Sequence, residues 1–272
     1  INADSGLALF GKIFWVIFNF INNLFPTLQV DPRLNRTTIK EIDYEFINNN
    51  IDKLWSPSRL IGNYFWSLTL PWNDISLLLN KEANILEIGC GSGLYGDLLK
   101  KYLKDDFKSY LGIDVFEDAN WENYQNNEVF KFQIGNANSI SHSLNGKNLI
   151  ITQSALEHFD EDLKLFKQIS NYVDKVSYPV IQIHLMPSAA CLFTFLGHGI
   201  RQYTPRTISK ITKLFGVNTF KTLYSLGGPK CNKVHRKYIT YPILLRRGDQ
   251  RKLKSFEYIS ELQTAIKSDI EN

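Results

Sequence analysis

Ile85-Leu86-Glu87-Ile88-Gly89-Cys90-Gly91-Ser92-Gly93 decides how this chain is read. An apolar run with strand character stops on glycines at alternate positions. Leu94, Leu98, Leu99, Tyr102 and Leu103 then follow at helical spacing. A strand that breaks into glycines and restarts as a helix has the form of a ligand-holding turn. Glycine admits left-handed backbone angles and lets a ligand come close to the main chain. In open α/β sheets such ligands lie beyond the carboxyl ends of the strands.

Outward from this turn the chain alternates between the two periodicities. Strand candidates fall at 84–88, 110–113 (closed by Asp114), 129–134, 148–152 and 180–185. Residues 160–173 read as a helix, with Leu163, Phe166, Ile169 and Val173 on one face and acids in the first turn, where the helix dipole favours them. Thr204 and Pro205 start another helix as N-cap and first residue, and Gly216 can close it. Two last strand candidates, 217–224 and 238–245, suggest a long-looped antiparallel pair at one edge. Strands alternating with helices predict an α/β fold: a Rossmann-like, doubly wound, mostly parallel seven-stranded sheet. Residues 1–80, rich in Asn and aromatics, read as a helical N-terminal extension or cap. Residues 81–250 are the expected α/β domain and 251–272 a helical tail.

The turn admits two ligands. Gly91-Ser92-Gly93-Leu94-Tyr95-Gly96 matches G-x-G-x-x-G, the dinucleotide fingerprint, and so suggests an NAD-dependent oxidoreductase. Glu87 argues against that reading. A carboxylate two residues before the first glycine would repel a pyrophosphate and suits the ammonium of an amino acid. The turn is also longer than the dinucleotide one.

Four segments in order resemble the class I S-adenosylmethionine-dependent methyltransferases of the small-molecule type. Residues 85–93 look like that family's first motif. Leu-Gly-Ile-Asp-Val-Phe at 111–116 looks like its second, which implies that Asp114 accepts hydrogen bonds from the ribose diol beside Val115. Residues 132–140 resemble the adenine-contacting segment, with Asn136 where the family often carries Asp, next to Ala137. Residues 148–162 resemble the fourth-strand motif, which places Gln153 and Ser154 against the cofactor. Residues 203–228 look like the family's last helix and strand. The resemblance implies S-adenosylmethionine as cofactor and S-adenosylhomocysteine as product. It assigns cofactor binding to Glu87, Gly89, Cys90, Gly91, Gly93, Asp114, Val115, Asn136, Ala137, Gln153 and Ser154.

Methyl transfer to a hydroxyl needs alignment and a proton acceptor. His158, just past the fourth strand, is the leading catalytic candidate, and His184 the second. His158 is equally readable as a helix-orienting residue. No metal is expected: the acids at 160–162 are explained by a helix start. No Asn/Asp-Pro-Pro-aromatic run follows the fourth strand and no cysteine follows a proline, which argues against methylation of nucleic-acid bases. The acceptor expected is a small molecule, sugar or lipid, with O-methylation favoured. Tyr44, Trp55, Arg59, Tyr64, Trp66 and Trp72 are candidates for its pocket or for ordinary packing.

The bulk properties set the frame. The chain has 272 residues, 44% hydrophobic and 21% charged, as globular proteins do. Three scattered cysteines argue against disulfides and zinc and point to a cytoplasmic setting. The net charge is only +4, but residues 230–254 hold nine Lys/Arg against one acid. That block suits an anionic acceptor or a solvated face. Residues 7–25 are very apolar, with Lys12, Asn19 and Asn23 in one narrow stripe. Three roles are open to this helix: packing on the main domain, peripheral contact with a membrane, or a homodimer interface. A non-catalytic binder that keeps the fold is the alternative to an enzyme.

Overall fold

The computed structural model describes residues 2–271. The first elements are α1 (Leu9–Asn22), β1 (Leu34–Thr38), α2 (Tyr44–Ile51), α3 (Pro57–Tyr64) and α4 (Trp72–Leu78). The alternating part is β2 (Ala83–Ile88), α5 (Leu94–Leu103), β3 (Phe107–Asp114), β4 (Phe130–Ile134), β5 (Leu149–Gln153), α6 (Asp162–Val173), β6 (Ile181–Leu185), α7 (Pro205–Thr212) and β7 (Lys221–Ser225). Then come α8 (Pro229–His235), α9 (Tyr241–Leu244) and α10 (Ser255–Glu271).

Five strands form one all-parallel sheet in the order β4-β3-β2-β5-β6. The chain runs outward from β2 through β3 to β4, then returns to the other side of β2 with β5. The strand order reverses between β2 and β5, and the glycine turn leaves β2 at that switch point, where a crevice opens. Alternation along β2 sends Ile85 to one face and Leu86 and Ile88 to the other. Ile85 joins a core with Trp66, Trp72, Leu99, Tyr110 and Phe130. Leu86 and Ile88 join Ile113, Ile150, Phe166 and Ile169. The doubly wound sheet expected from the sequence is therefore present, with both faces covered.

Its seven strands divide differently from the expectation. β1 and β7 pair in parallel as a separate two-stranded sheet, Leu34 opposite Lys221. The expected antiparallel edge pair is absent among the described residues because residues 238–245 are helical. α8 continues through a π-helical turn (Arg236–Thr240) into α9. The run Tyr238-Ile239-Thr240-Tyr241 has strand propensity, but Cys231, Val234 and Tyr238 recur at helical spacing and are buried against α10. Tyr238 meets Tyr258 edge-on at 5.3 Å. Packing overrides propensity here. This third core also takes Ile47 and Ile51 of α2 and Leu60 of α3, so the tail and the N-terminal region share an interior.

Candidate functional site

The turn after β2 is held open by its glycines. Gly89 has φ +75°, and a Cβ there would lie 2.4 Å from that of Ala155. Gly93 has φ +79°, and a Cβ there would lie 2.5 Å from the Phe132 ring. Gly91, between them, faces open space. The Gly91 N–H donates to Asp114 Oδ2 at 2.8 Å, and the Val115 N–H donates to Asp114 Oδ1 at 2.7 Å. The β3–β4 connection braces the turn from the other side: Trp121 Nε1 donates to the Gly91 carbonyl and Asn120 Nδ2 to that of Ser92, both at 2.8 Å. The sequence reading missed both braces, since nothing local to residues 119–124 announces them.

Behind the turn lies Glu87, fully buried and accepting a hydrogen bond from the Tyr110 hydroxyl. Burial pushes its carboxyl up to about 8, against the Tyr110 bond and with help from the Asp114 charge. Burial likewise pushes the Cys90 thiol up. Gln153 is oriented by Trp66, whose Nε1 donates to its Oε1 at 2.6 Å. Ser154 sits at φ +51°, a left-handed angle uncommon outside glycine and concentrated at functional sites. Asn136 caps a short 3-10 turn, its side chain accepting from the Asn138 N–H at 2.8 Å, with Ala137 buried beside it.

A cleft of about 1580 Å³ runs along these residues. Ligand pockets commonly hold about 300–1,000 Å³, so there is room for a cofactor and a second molecule. Glu87, Gly89, Cys90, Gly91, Asp114, Val115, Asn136, Ala137, Gln153 and Ser154 all line it. Gly93, the remaining candidate, is not among its lining residues and instead packs on Phe132.

Further along the wall, His158 Nδ1 lies 2.5 Å from Asp4 Oδ2. Burial opposes ionisation of Asp4, but the His158 bond and the Gly199 N–H outweigh it and hold the carboxyl below its usual range. His198 stands edge-on to His158 at 4.6 Å, and burial, then the His158 charge, lowers its basicity. Glu157, buried, has an Oε2 without a hydrogen bond. One potential ligand atom from each of Glu157, His158 and His198 falls within 4.8 Å of the others, a grouping that the sequence did not reveal. Of the acids considered beside His158, Asp162 is instead bonded to Arg201 and Tyr203, and Glu161 to Lys164. His184 is half-buried on the cleft wall and paired with Thr152 at 2.9 Å; desolvation holds its imidazole below the usual range, which makes it a weaker base than a free histidine.

The five candidate aromatics Tyr44, Trp55, Tyr64, Trp66 and Trp72 do not line the cleft. Trp66 and Trp72 stack at 6.1 Å in the core, and of the six pocket candidates only Arg59 reaches the wall. The aromatic walls include Phe65, Tyr95, Phe166, Phe195, Phe215 and Phe220. The basic block is split: Arg246 and Arg247 are exposed and outside the cleft, whereas Arg236 of the same block lines it together with Arg36 and Arg59.

A family model described as a methyltransferase domain matches residues 67–218, more than half the chain. The chain belongs to that family. It is an S-adenosylmethionine-dependent methyltransferase of the class I kind, with S-adenosylhomocysteine as product, and the oxidoreductase reading falls. Similar solved structures include an S-adenosylmethionine-dependent methyltransferase from Archaeoglobus fulgidus, 16% identical over 64% of this chain and 74% of that one, TM-score 0.41. Others are YcgJ from Bacillus subtilis (12% identity, 63% and 68%, TM-score 0.37) and a methyltransferase from Aquifex aeolicus (21%, 47% and 66%, TM-score 0.31). The chain spans 42% to 78% of the lengths of such structures. No curated protein matches it.

Proposed function

We propose that the chain methylates an oxygen of a small-molecule acceptor that is partly apolar or lipid-like and carries an anionic group. The observation behind this reading is the His158–Asp4 pair on the cleft wall at 2.5 Å. A histidine with one ring nitrogen held by a carboxylate offers the other as a proton acceptor near neutral pH.

The residues along the turn suit the cofactor. When bound, S-adenosylmethionine supplies a methyl group on a sulfonium sulfur, which an acceptor oxygen displaces in line. Asp114 keeps lone pairs beyond those used by Gly91 and Val115, enough for the ribose hydroxyls. Glu87 ionises beside the ammonium of the methionine moiety, offsetting its own desolvation. Asn136 and Ala137 flank the adenine, and Gln153 and Ser154 the reacting end. His158 takes the acceptor proton, and Asp4 stabilises the imidazolium. Arg236, bonded to Thr194 four residues before His198, suits the anionic group, and Phe195, Phe215 and Phe220 the apolar part.

Calorimetric titration with S-adenosylmethionine, with Asp114→Ala as control, comes first. Acceptors are then screened by S-adenosylhomocysteine release. Lack of cofactor binding by a folded sample sinks the reading. A KM for anionic acceptors unchanged in Arg236→Ala removes its anionic part.

A further inference from the structure

α1 is built inside out. Trp15 and Asn19 are its buried residues, and Asn22 and Asn23 are half-buried. Trp15 Nε1 donates to the Gly199 carbonyl at 2.9 Å, Asn19 Nδ2 to that of Ile200 at 3.2 Å, and Arg206 to that of Asn22 at 2.9 Å. The polar stripe therefore faces the protein. Phe10, Phe14, Ile17, Phe18 and Ile21 face outward, with Phe25 just beyond, each between 44% and 77% exposed. A contiguous apolar surface of this kind marks an interaction site.

Its surroundings say what covers it. No acid occurs between Asp4 and Asp31. Lys12 is exposed on the helix itself, and Lys210 and Lys213 are exposed on and just after α7. α7 is anchored to the turn after α1: the Arg206 N–H donates to Pro26 and Lys213 Nζ to Gln29. Exposed apolar side chains in an acid-free run with lysines at its edges fit an anionic bilayer surface. Two copies of the patch would instead bring like charges together. No helix among the described residues is long and apolar enough to cross a membrane, and fourteen residues rise only about 21 Å, so α1 would lie along the surface. Asn2 and Asp4, just ahead of α1, line the cleft, so the same segment joins the docking face to His158.

We propose that residues 9–28 dock the enzyme on an anionic lipid surface and that the acceptor is a lipid-soluble hydroxyl compound drawn from that bilayer. The acceptor clause rests on the methyl-transfer reading above; the docking clause does not.

The test is flotation of the full chain with vesicles of phosphatidylcholine alone and of phosphatidylcholine mixed with phosphatidylglycerol, with no cofactor or acceptor present. The chain should float with the mixed vesicles, much less with the neutral ones, and less at high salt. Phe14→Ser/Phe18→Ser should weaken vesicle binding roughly tenfold or more. Its melting temperature and cofactor affinity should stay unchanged, because both side chains are exposed. Failure of the wild type to float, or equal flotation of the double variant, overturns the proposal. A wild-type dimer that the double variant converts to monomers also overturns it, by assigning the patch to a second copy. Methyl transfer to soluble acceptors is measured separately without vesicles, so a failure of docking and a failure of chemistry are distinguishable.

Discussion

β2 with its glycine turn and α1 with its Asn stripe are both apolar stretches interrupted by polar residues, and they fold in opposite senses. In β2, Ile85, Leu86 and Ile88 are buried, and the one charge, Glu87, is buried with them against Tyr110. In α1, asparagines go inward and phenylalanines outward. Hydrophobic pattern locates an element and its faces. Which face turns inward depends on the partners the rest of the chain supplies. Carbonyls at Gly199 and Ile200 need donors, and Trp15 and Asn19 provide them.

The largest expected effect joins the two regions, since His158 follows the sheet and Asp4 precedes α1. His158→Ala should lower kcat about 10²–10⁴-fold while leaving cofactor affinity alone. Treatment with a chelator should change nothing if His158 works as a base. Activity lost to the chelator and restored by a divalent cation would reassign Glu157, His158 and His198 as ligands.

Within the turn, Gly93→Ala should cost about 2–5 kcal/mol in denaturant unfolding, combining a left-handed angle with a clash on Phe132. Gly91→Ala, with open space around it, should cost only about 1–2 kcal/mol. Equal costs would show that the turn is not as rigid as its contacts imply.

Glu87 gives a pH signature. Its native carboxyl titrates at about 8 and its unfolded one at about 4.5. Between those values the native state holds a proton that the unfolded chain has lost. Stability should therefore fall as pH rises through this window, by at most about 1.4 kcal/mol per unit, and flatten above it. Glu87→Gln should remove that slope in melting curves. A slope unchanged by the substitution would place the proton elsewhere. A smaller effect follows at Asp114, where Asp114→Asn should weaken S-adenosylmethionine roughly tenfold by exchanging a charged acceptor for a neutral one. An unaltered affinity would exclude Asp114 from the ribose.

The contrast also explains what could be read in advance. The five strands of the main sheet and the cleft-lining cofactor candidates were legible because strand, glycine turn and following helix lie side by side in sequence. β1 was not, because Leu34-Asn35-Arg36-Thr37-Thr38 carries little strand pattern and its partner lies beyond residue 220. Asp4 and His198 were not, because the chain brings them to His158 from 154 and 40 residues away. Residues 238–245 misled because their β-propensity is real and their helical burial is set by α10. The Asn stripe of α1 was visible, but its direction was not.

The smallest effect is therefore the most informative about that direction. Phe18 is 56% exposed, so Phe18→Ser should move unfolding free energy by no more than about 0.5 kcal/mol, whereas Leu86→Ala, fully buried, should cost about 2–5 kcal/mol. Both residues are large and apolar and both sit in runs that a sequence scan scores alike. If Phe18→Ser cost as much as Leu86→Ala in the isolated chain, α1 would have to pack through its phenylalanines, and the lipid-facing role would be lost with it. If the cost stays near zero in solution but vesicle binding falls, Phe18 is being held for a contact made outside the fold.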